Sequence, residues 1–140
     1  MNPNPPLEPV FAGTPVLVAY LFGSRAEGRA HGRSDVDVAV LFPRELPKEE
    51  RWRWQLELIG RLTDAYRTDD VDLVILNDAP PLLRYEVIRR RRVLYNRDDE
   101  ARVAFEVRAM QEWFDWAPRY KRLLGERMRQ FAAGSVRIGP

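Results

Sequence analysis

Apolar residues fall into short blocks separated by polar, glycine- and proline-rich stretches. The first block, Val16-Leu-Val-Ala-Tyr-Leu-Phe22, is continuous, carries β-branched and aromatic residues and stops at Gly23, which reads as a buried strand. A polar connection punctuated by Gly23, Gly28 and Gly32 runs from there to Ser34. Asp35-Val-Asp-Val-Ala-Val-Leu-Phe42 is a second strand, ended by Pro43, and Val71-Asp-Leu-Val-Ile-Leu76 a third. Between them, the spacing of Trp52, Leu56, Ile59 and Leu62 predicts a helix over about 47–66 with those four on its buried face. Pro47 suits its first turn.

Pro80 and Pro81 open a short helix to about Arg90, and Val93-Leu-Tyr95 predicts a fourth strand. From Asp98 the pattern is helical again, with Val103, Val107, Met110 and Phe114 on one stripe. Pro118 is expected to kink or divide that segment. A second stretch with Leu124, Met128 and Phe131 closes before Gly134. Prolines 3, 5, 6 and 9 predict that the first ten residues are extended or loosely ordered. Strands separated by helices, in a chain this short, argue for an α/β fold: a small sheet with helices packed on it. The expected organisation is one domain over residues 1–140, with a core of about 14–98 and C-terminal helices over about 98–133.

Composition narrows the function. A chain of 140 residues, 45% hydrophobic, is long enough to bury a core without staples. It has no cysteine, which excludes disulfides, thiolate metal sites and thiol nucleophiles. The net charge of +2 comes from 23 basic and 21 acidic residues. That is a mixed surface rather than a basic nucleic-acid footprint, so no direct nucleic-acid contact is expected. Only Lys48 and Lys121 among the basic residues are lysines. Arginine makes bidentate contacts with phosphate and carboxylate, although genome composition is the simpler account of the bias. No apolar run approaches the roughly 20 residues that span a bilayer, and the N-terminus lacks the order of a signal peptide. A cytoplasmic protein with no membrane contact is expected.

The chemistry concentrates where the first strand meets the second. Gly23 lets backbone approach another group closely, and Ser24 follows where a helical turn can start with free N–H groups, an arrangement that binds phosphate. Arg25, Arg29 and Arg33 can add positive charge there. A glycine and serine alone mark only a turn and an N-cap. The aspartates weigh more. Asp35 and Asp37 alternate with valines, so both lie on one face with Cα atoms roughly 6.5–7 Å apart. Two carboxylates this close repel and resist burial unless a cation compensates them, and carboxylate oxygens suit Mg²⁺. Asp72 interrupts an apolar strand and can converge on the pair if the strands are neighbours. Asp70 points the same way and rivals it. The lone His31 lies in the polar connection and reads as solvated.

Gly23-Ser24-Arg25-Ala26-Glu27-Gly28, Ser34-Asp35-Val36-Asp37 and Val71-Asp72-Leu73-Val74 together resemble the signature of the DNA polymerase β-like nucleotidyltransferases. The length resembles the minimal nucleotidyltransferases, which include antitoxins paired with HEPN ribonuclease toxins. The likeness runs from about Val16 to Asp98. It implies a small mixed sheet with flanking helices and a C-terminal helical extension. It implies further that Gly23 and Ser24, with Arg25, Gly28 and Ser34, hold the nucleotide. Asp35, Asp37 and Asp72 would be the catalytic residues and ligate Mg²⁺, two ions being expected, with Asp72 also the base. Glu27 departs from the family, which often has arginine there, and sets a negative charge near the triphosphate. The implied reaction is transfer of AMP from ATP to a hydroxyl, the acceptor being a tyrosine of a cognate HEPN toxin. An antibiotic-type acceptor and a non-enzymatic toxin-binding module are the rival readings. Trp113, Phe114 and Trp116 suit either a partner surface or core packing, and arginines 89–92 either an acidic ligand or a solvated helix end.

Overall fold

The computed structural model of the chain describes residues 2–22 and 34–132, with side chains through 130. Its elements run α1 (Glu8–Phe11), β1 (Val18–Phe22), β2 (Val36–Leu41), α2 (Lys48–Tyr66), β3 (Val71–Ile75), α3 (Pro81–Arg89), β4 (Arg92–Asn96) and α4 (Asp99–Ala132), with a 3-10 turn at Leu76–Asp78. The four strands form one mixed sheet in the order β3-β2-β1-β4. β1 pairs antiparallel with both β2 and β4, whereas β2 and β3 are parallel.

Alternation along the strands divides the core into two layers. Ala19, Leu21, Val36, Val38, Val40 and Leu73 face α2, where Leu58, Leu62 and Tyr66 cover them. Val18, Tyr20 and Ala39 face the other way, onto Val87 and Ile88 of α3 and Phe105 and Ala109 of α4. Valines 36 and 38 thus point into the layer opposite the aspartates, as the alternation predicts.

Four expectations are corrected. The start of the chain is not extended throughout: α1 buries Val10 and Phe11, and Phe11 stacks on Tyr95 at 5.2 Å. On α2 the packed stripe is Trp54, Leu58, Leu62 and Tyr66 at four-residue spacing, while Trp52 and Leu56 are turned out, Leu56 being 75% exposed. The helix carries two apolar stripes, and the one whose residues meet the sheet is the one rotated toward it. The C-terminal segment is one helix, not two, and contains Pro118. Pro118 is exposed, so the carbonyl of Phe114, deprived of its intrahelical donor, lies on a side where water can serve it. The predicted stripe of Val103, Val107, Met110 and Phe114 is also exposed, because Phe105 and Ala109 make the buried contact instead.

Aromatic rings join the two C-terminal helices. Trp113 stacks on Tyr85 of α3 at 4.7 Å, and Trp116 stacks on Tyr120 at 4.9 Å. Trp113 and Trp116 are therefore packing residues, whereas Phe114 is 62% exposed. Three of the arginines 89–92 are also accounted for locally. Arg89 and Arg90 pair with Glu86, and Arg91 donates to the Ile88 carbonyl and pairs with Glu106.

The corrected face of α2 is directly testable. Leu62→Ala is expected to cost about 2–5 kcal/mol, the range for emptying a core leucine. Leu56→Ala should stay within about 0.5 kcal/mol of wild type, as exposed substitutions do. Urea unfolding of the two variants measures both, and equal losses would contradict the face seen here.

Candidate active site

The parallel register of β2 and β3 sets Asp37 opposite Asp72, between the pairs Val36–Val71 and Val38–Leu73. Adjacent strands lie about 4.8 Å apart, so the two carboxylates stand side by side. Both project from the face that α3 and α4 pack on, since their neighbours in sequence face α2. One step outward, Asp35 and Asp70 form a second row. The Asp35 N–H donates to Asp70 Oδ2 at 3.0 Å, and the Val36 N–H donates to the Asp70 carbonyl. Four acids thus share one corner of the sheet.

Their surroundings differ. Asp37 is only 9% exposed, whereas Asp35, Asp70 and Asp72 are open to solvent. Burial raises the Asp37 pKa above the ordinary carboxylate range, and the nearby charges of Asp72 and then Asp70 raise it further. A hydrogen bond from Ser34 opposes that rise without cancelling it. Asp35 Oδ2 accepts the Thr68 hydroxyl at 2.8 Å. The Asp70 N–H in turn donates to Thr68 Oγ1 at 3.2 Å. Asp72 has no hydrogen-bond partner among the described residues, so its oxygens stay available.

Local sequence explains the second row. α2 ends at Arg67, which adopts a left-handed conformation (φ 55°, ψ 48°) and donates its N–H to the Thr63 carbonyl. That αL cap turns the chain sharply enough to bring Thr68 and Asp70 back beside Asp35. Thr68 escaped sequence reasoning. The signal was present in a polar residue placed between a helix end and the acids that open β3.

Residues 23–33 join two points of this corner, because β1 ends at Phe22, the register partner of Asp37, and β2 follows Ser34. Gly23, Ser24, Arg25 and Gly28, together with Glu27, Arg29, His31 and Arg33, lie outside the described residues. Of the residues singled out from sequence, the structure brings Ser34, Asp35, Asp37 and Asp72 together, with Asp70 among them. Among the described residues, no three acidic or histidine side chains are gathered tightly enough to form a metal site as they stand. The donor chemistry nevertheless fits a hard cation. Asp37 and Asp72 offer only carboxylate oxygens, and no described residue is a cation that offsets their mutual repulsion at Asp37. No described helix is long and apolar enough to cross a membrane.

Known proteins share this architecture. Residues 7–100 match the family described as polymerase beta, nucleotidyltransferase. The chain is 40% identical over 83 residues to the protein adenylyltransferase MntA of Shewanella oneidensis, a match over 58% of this chain and 56% of the relative. It therefore spans about half the length of that curated relative. A chain from a crystal structure of a toxin–antitoxin with AMP-PNP superposes with a TM-score of 0.71 at 27% identity, covering 91% of this chain and 99% of that one. A chain from a structure of tri-AMPylated Shewanella oneidensis HEPN toxin in complex with MNT antitoxin gives 0.61 at 26% identity, covering 81% and 84%. The acids that the β2–β3 register brings together lie inside the matched segment, and the chain belongs to the polymerase β nucleotidyltransferase family.

Proposed function

We propose that this protein is a Mg²⁺-dependent adenylyltransferase that moves AMP from ATP onto a tyrosine hydroxyl of a HEPN ribonuclease toxin, and so acts as its antitoxin. The observation that carries the reading is the pairing of buried Asp37 with solvent-open Asp72 in adjacent parallel strands. Such a pair is costly in a structural role and useful in phosphoryl transfer. The similarity to MntA and to a chain from a HEPN toxin–antitoxin complex supports the choice of donor and acceptor. A reaction that consumes ATP supports a cytoplasmic setting for the protein.

The residues divide the work. Asp37 and Asp72 would hold magnesium, with Asp35 at the outer edge of the site. When bound, the metal offsets the charge on the phosphates and on the attacking and leaving oxygens. The acceptor oxygen bonds to the α-phosphorus of ATP, the bond from that phosphorus to the bridging oxygen breaks, and pyrophosphate departs. The hydroxyl proton passes to the Asp72 carboxylate, whose oxygens no donor among the described residues occupies. Asp70 serves less well as base because it is committed to the Asp35 backbone. Thr68 and Ser34 orient Asp35 and Asp37. Gly23, Ser24, Arg25 and Gly28, on the segment that leaves β1 beside Asp37, would hold the triphosphate.

Asp37→Asn separates a cation site from a solvated strand end. Removing the buried charge relieves repulsion with Asp72 and Asp70, so the metal-free variant should melt above wild type. It should also lose the stabilisation that Mg²⁺ with a non-hydrolysable ATP analogue gives wild type. Thermal melts with and without that pair check both effects, and an undiminished metal response would remove Asp37 from the site.

Asp72→Asn tests the transfer itself. An amide cannot take up the acceptor proton, so the rate should fall by about 10²-fold or more. Folding and toxin binding should persist, because Asp72 is solvent-exposed. Mass spectrometry of co-purified toxin reads the AMP adduct, and growth rescue reads neutralisation. Full rescue by the variant with no adduct in either sample would leave a contact-only antitoxin.

A further inference from the structure

Helix α4 carries two apolar faces; the domain covers one, and the second is open except at Ala117. Phe105 and Ala109 pack into the core, and Trp113 continues that face onto α3. The second face starts at Val103 and steps by four and three residues through Val107, Met110, Phe114, Ala117, Lys121 and Leu124 to Met128. This is the 3.5-residue repeat of a coiled-coil seam, sustained for about 39 Å at 1.5 Å per residue. Val103, Val107, Met110, Phe114, Leu124 and Met128 are 44–63% exposed, Lys121 is exposed, and the small Ala117 between them is buried at 8%. The rest of the outward arc is polar, with Arg108, Asp115, Arg122, Glu126 and Arg129. The seam is therefore a distinct stripe rather than a generally apolar surface.

Charge divides the same helix. Residues 99–117 hold five acids (Asp99, Glu100, Glu106, Glu112, Asp115) against Arg102 and Arg108, a net of −3. Residues 118–130 hold five bases (Arg119, Lys121, Arg122, Arg127, Arg129) against Glu126, a net of +4. The helix dipole favours such charges only in the first and last turns, whereas Glu112, Asp115, Arg119 and Lys121 flank the middle.

We propose that α4 pairs antiparallel with α4 of a second copy of this chain along this seam. The register follows from self-complementarity. Val103 meets Met128 of the second copy, Val107 meets Leu124, Met110 meets Lys121 and Phe114 meets Ala117. The largest seam residue faces the smallest, and the Lys121 methylenes lie along Met110 while the ammonium reaches solvent. Each acidic half lies on a basic half. Parallel pairing would instead set Lys121 on Lys121, Phe114 on Phe114 and basic half on basic half, which electrostatics disfavours. Both the register match and the charge match arise within this one sequence, which favours a second copy over an unrelated helix.

The experiment uses the full chain. Sedimentation over a dilution series should show reversible association to twice the 16.4 kDa chain mass. Phe114→Glu should raise the dissociation constant by about tenfold or more, equivalent to at least about 1.4 kcal/mol. Met128→Glu, a substitution far from the sheet, repeats the test if the first variant folds poorly. The chain has no cysteine, so orientation can be read by introducing single ones. A mixture of Val107→Cys and Leu124→Cys should cross-link on oxidation, and neither should do so alone. A wild type that stays monomeric at every concentration overturns the proposal, as does dimerisation that survives both glutamates. Self-cross-linking of each single variant overturns the antiparallel register.

Discussion

Parallel pairing of β2 with β3 is the constraint on which the rest of this site depends. In a strand, a one-residue slip exchanges the two faces. Shifting β3 by one position would turn Asp72 toward α2, into the layer of Val36, Val38 and Leu73. The register is fixed at both ends by side chains acting as backbone. At the acidic end, the Asp70 carboxylate accepts the Asp35 N–H. At the far end, the Asn77 amide accepts from the Phe42 N–H and donates to the Phe42 carbonyl, both at 2.9 Å. Between these clamps, burial of Val36, Val38, Val40, Leu73 and Ile75 holds two carboxylates closer than they would choose.

The four acids of the corner are chemically unequal. Asp70 spends its carboxylate on the backbone and Asp35 accepts from Thr68, so these two shape the site. Asp37 is buried against charge, and Asp72 has no donor among the described residues. The αL turn at Arg67 underlies the division, because it delivers Thr68 and Asp70 to Asp35. A non-glycine residue in that conformation is mildly strained, by about 1–3 kcal/mol at most. The cap hydrogen bond to Thr63 and the two bonds made by Thr68 offset it.

Element type was legible in the sequence because each strand is a short apolar block and each helix a long periodic one. The faces of the helices were less so. Periodicity reveals that a stripe exists, but α2 and α4 each carry two, and the choice between them rests on tertiary rotation. Leu56 and Val107 look as apolar as Leu58 and Phe105 until the sheet is in place. Pro118 misled for a related reason, since a proline on an exposed arc need not divide a helix. The acids were legible because alternation alone puts Asp35 and Asp37 on one face and flags Asp72 inside an apolar strand. The roles of Thr68 and Asp70 were not, because they depend on a backbone turn that no periodicity encodes.

Two buried carboxylates on the same sheet face show how structure and chemistry part company. Glu106 is as hidden as Asp37, both being 9% exposed. It accepts from the Tyr20 hydroxyl at 2.9 Å and from Arg102 at 2.9 Å, and it pairs with Arg91 at 3.3 Å. Burial and that hydrogen bond push the Tyr20 pKa far above its usual value, so the hydroxyl stays a donor. Every lone pair of Glu106 that matters is thus met, and the residue ties α4 to β1. Among the described residues, Asp37 has a single hydroxyl, from Ser34, and faces acids where Glu106 faces arginines. The described residues meet one buried carboxylate with three donors and set the other against acids. The difference in partners among the described residues, not the burial, marks Asp37 as the group still to be met by an opposite charge.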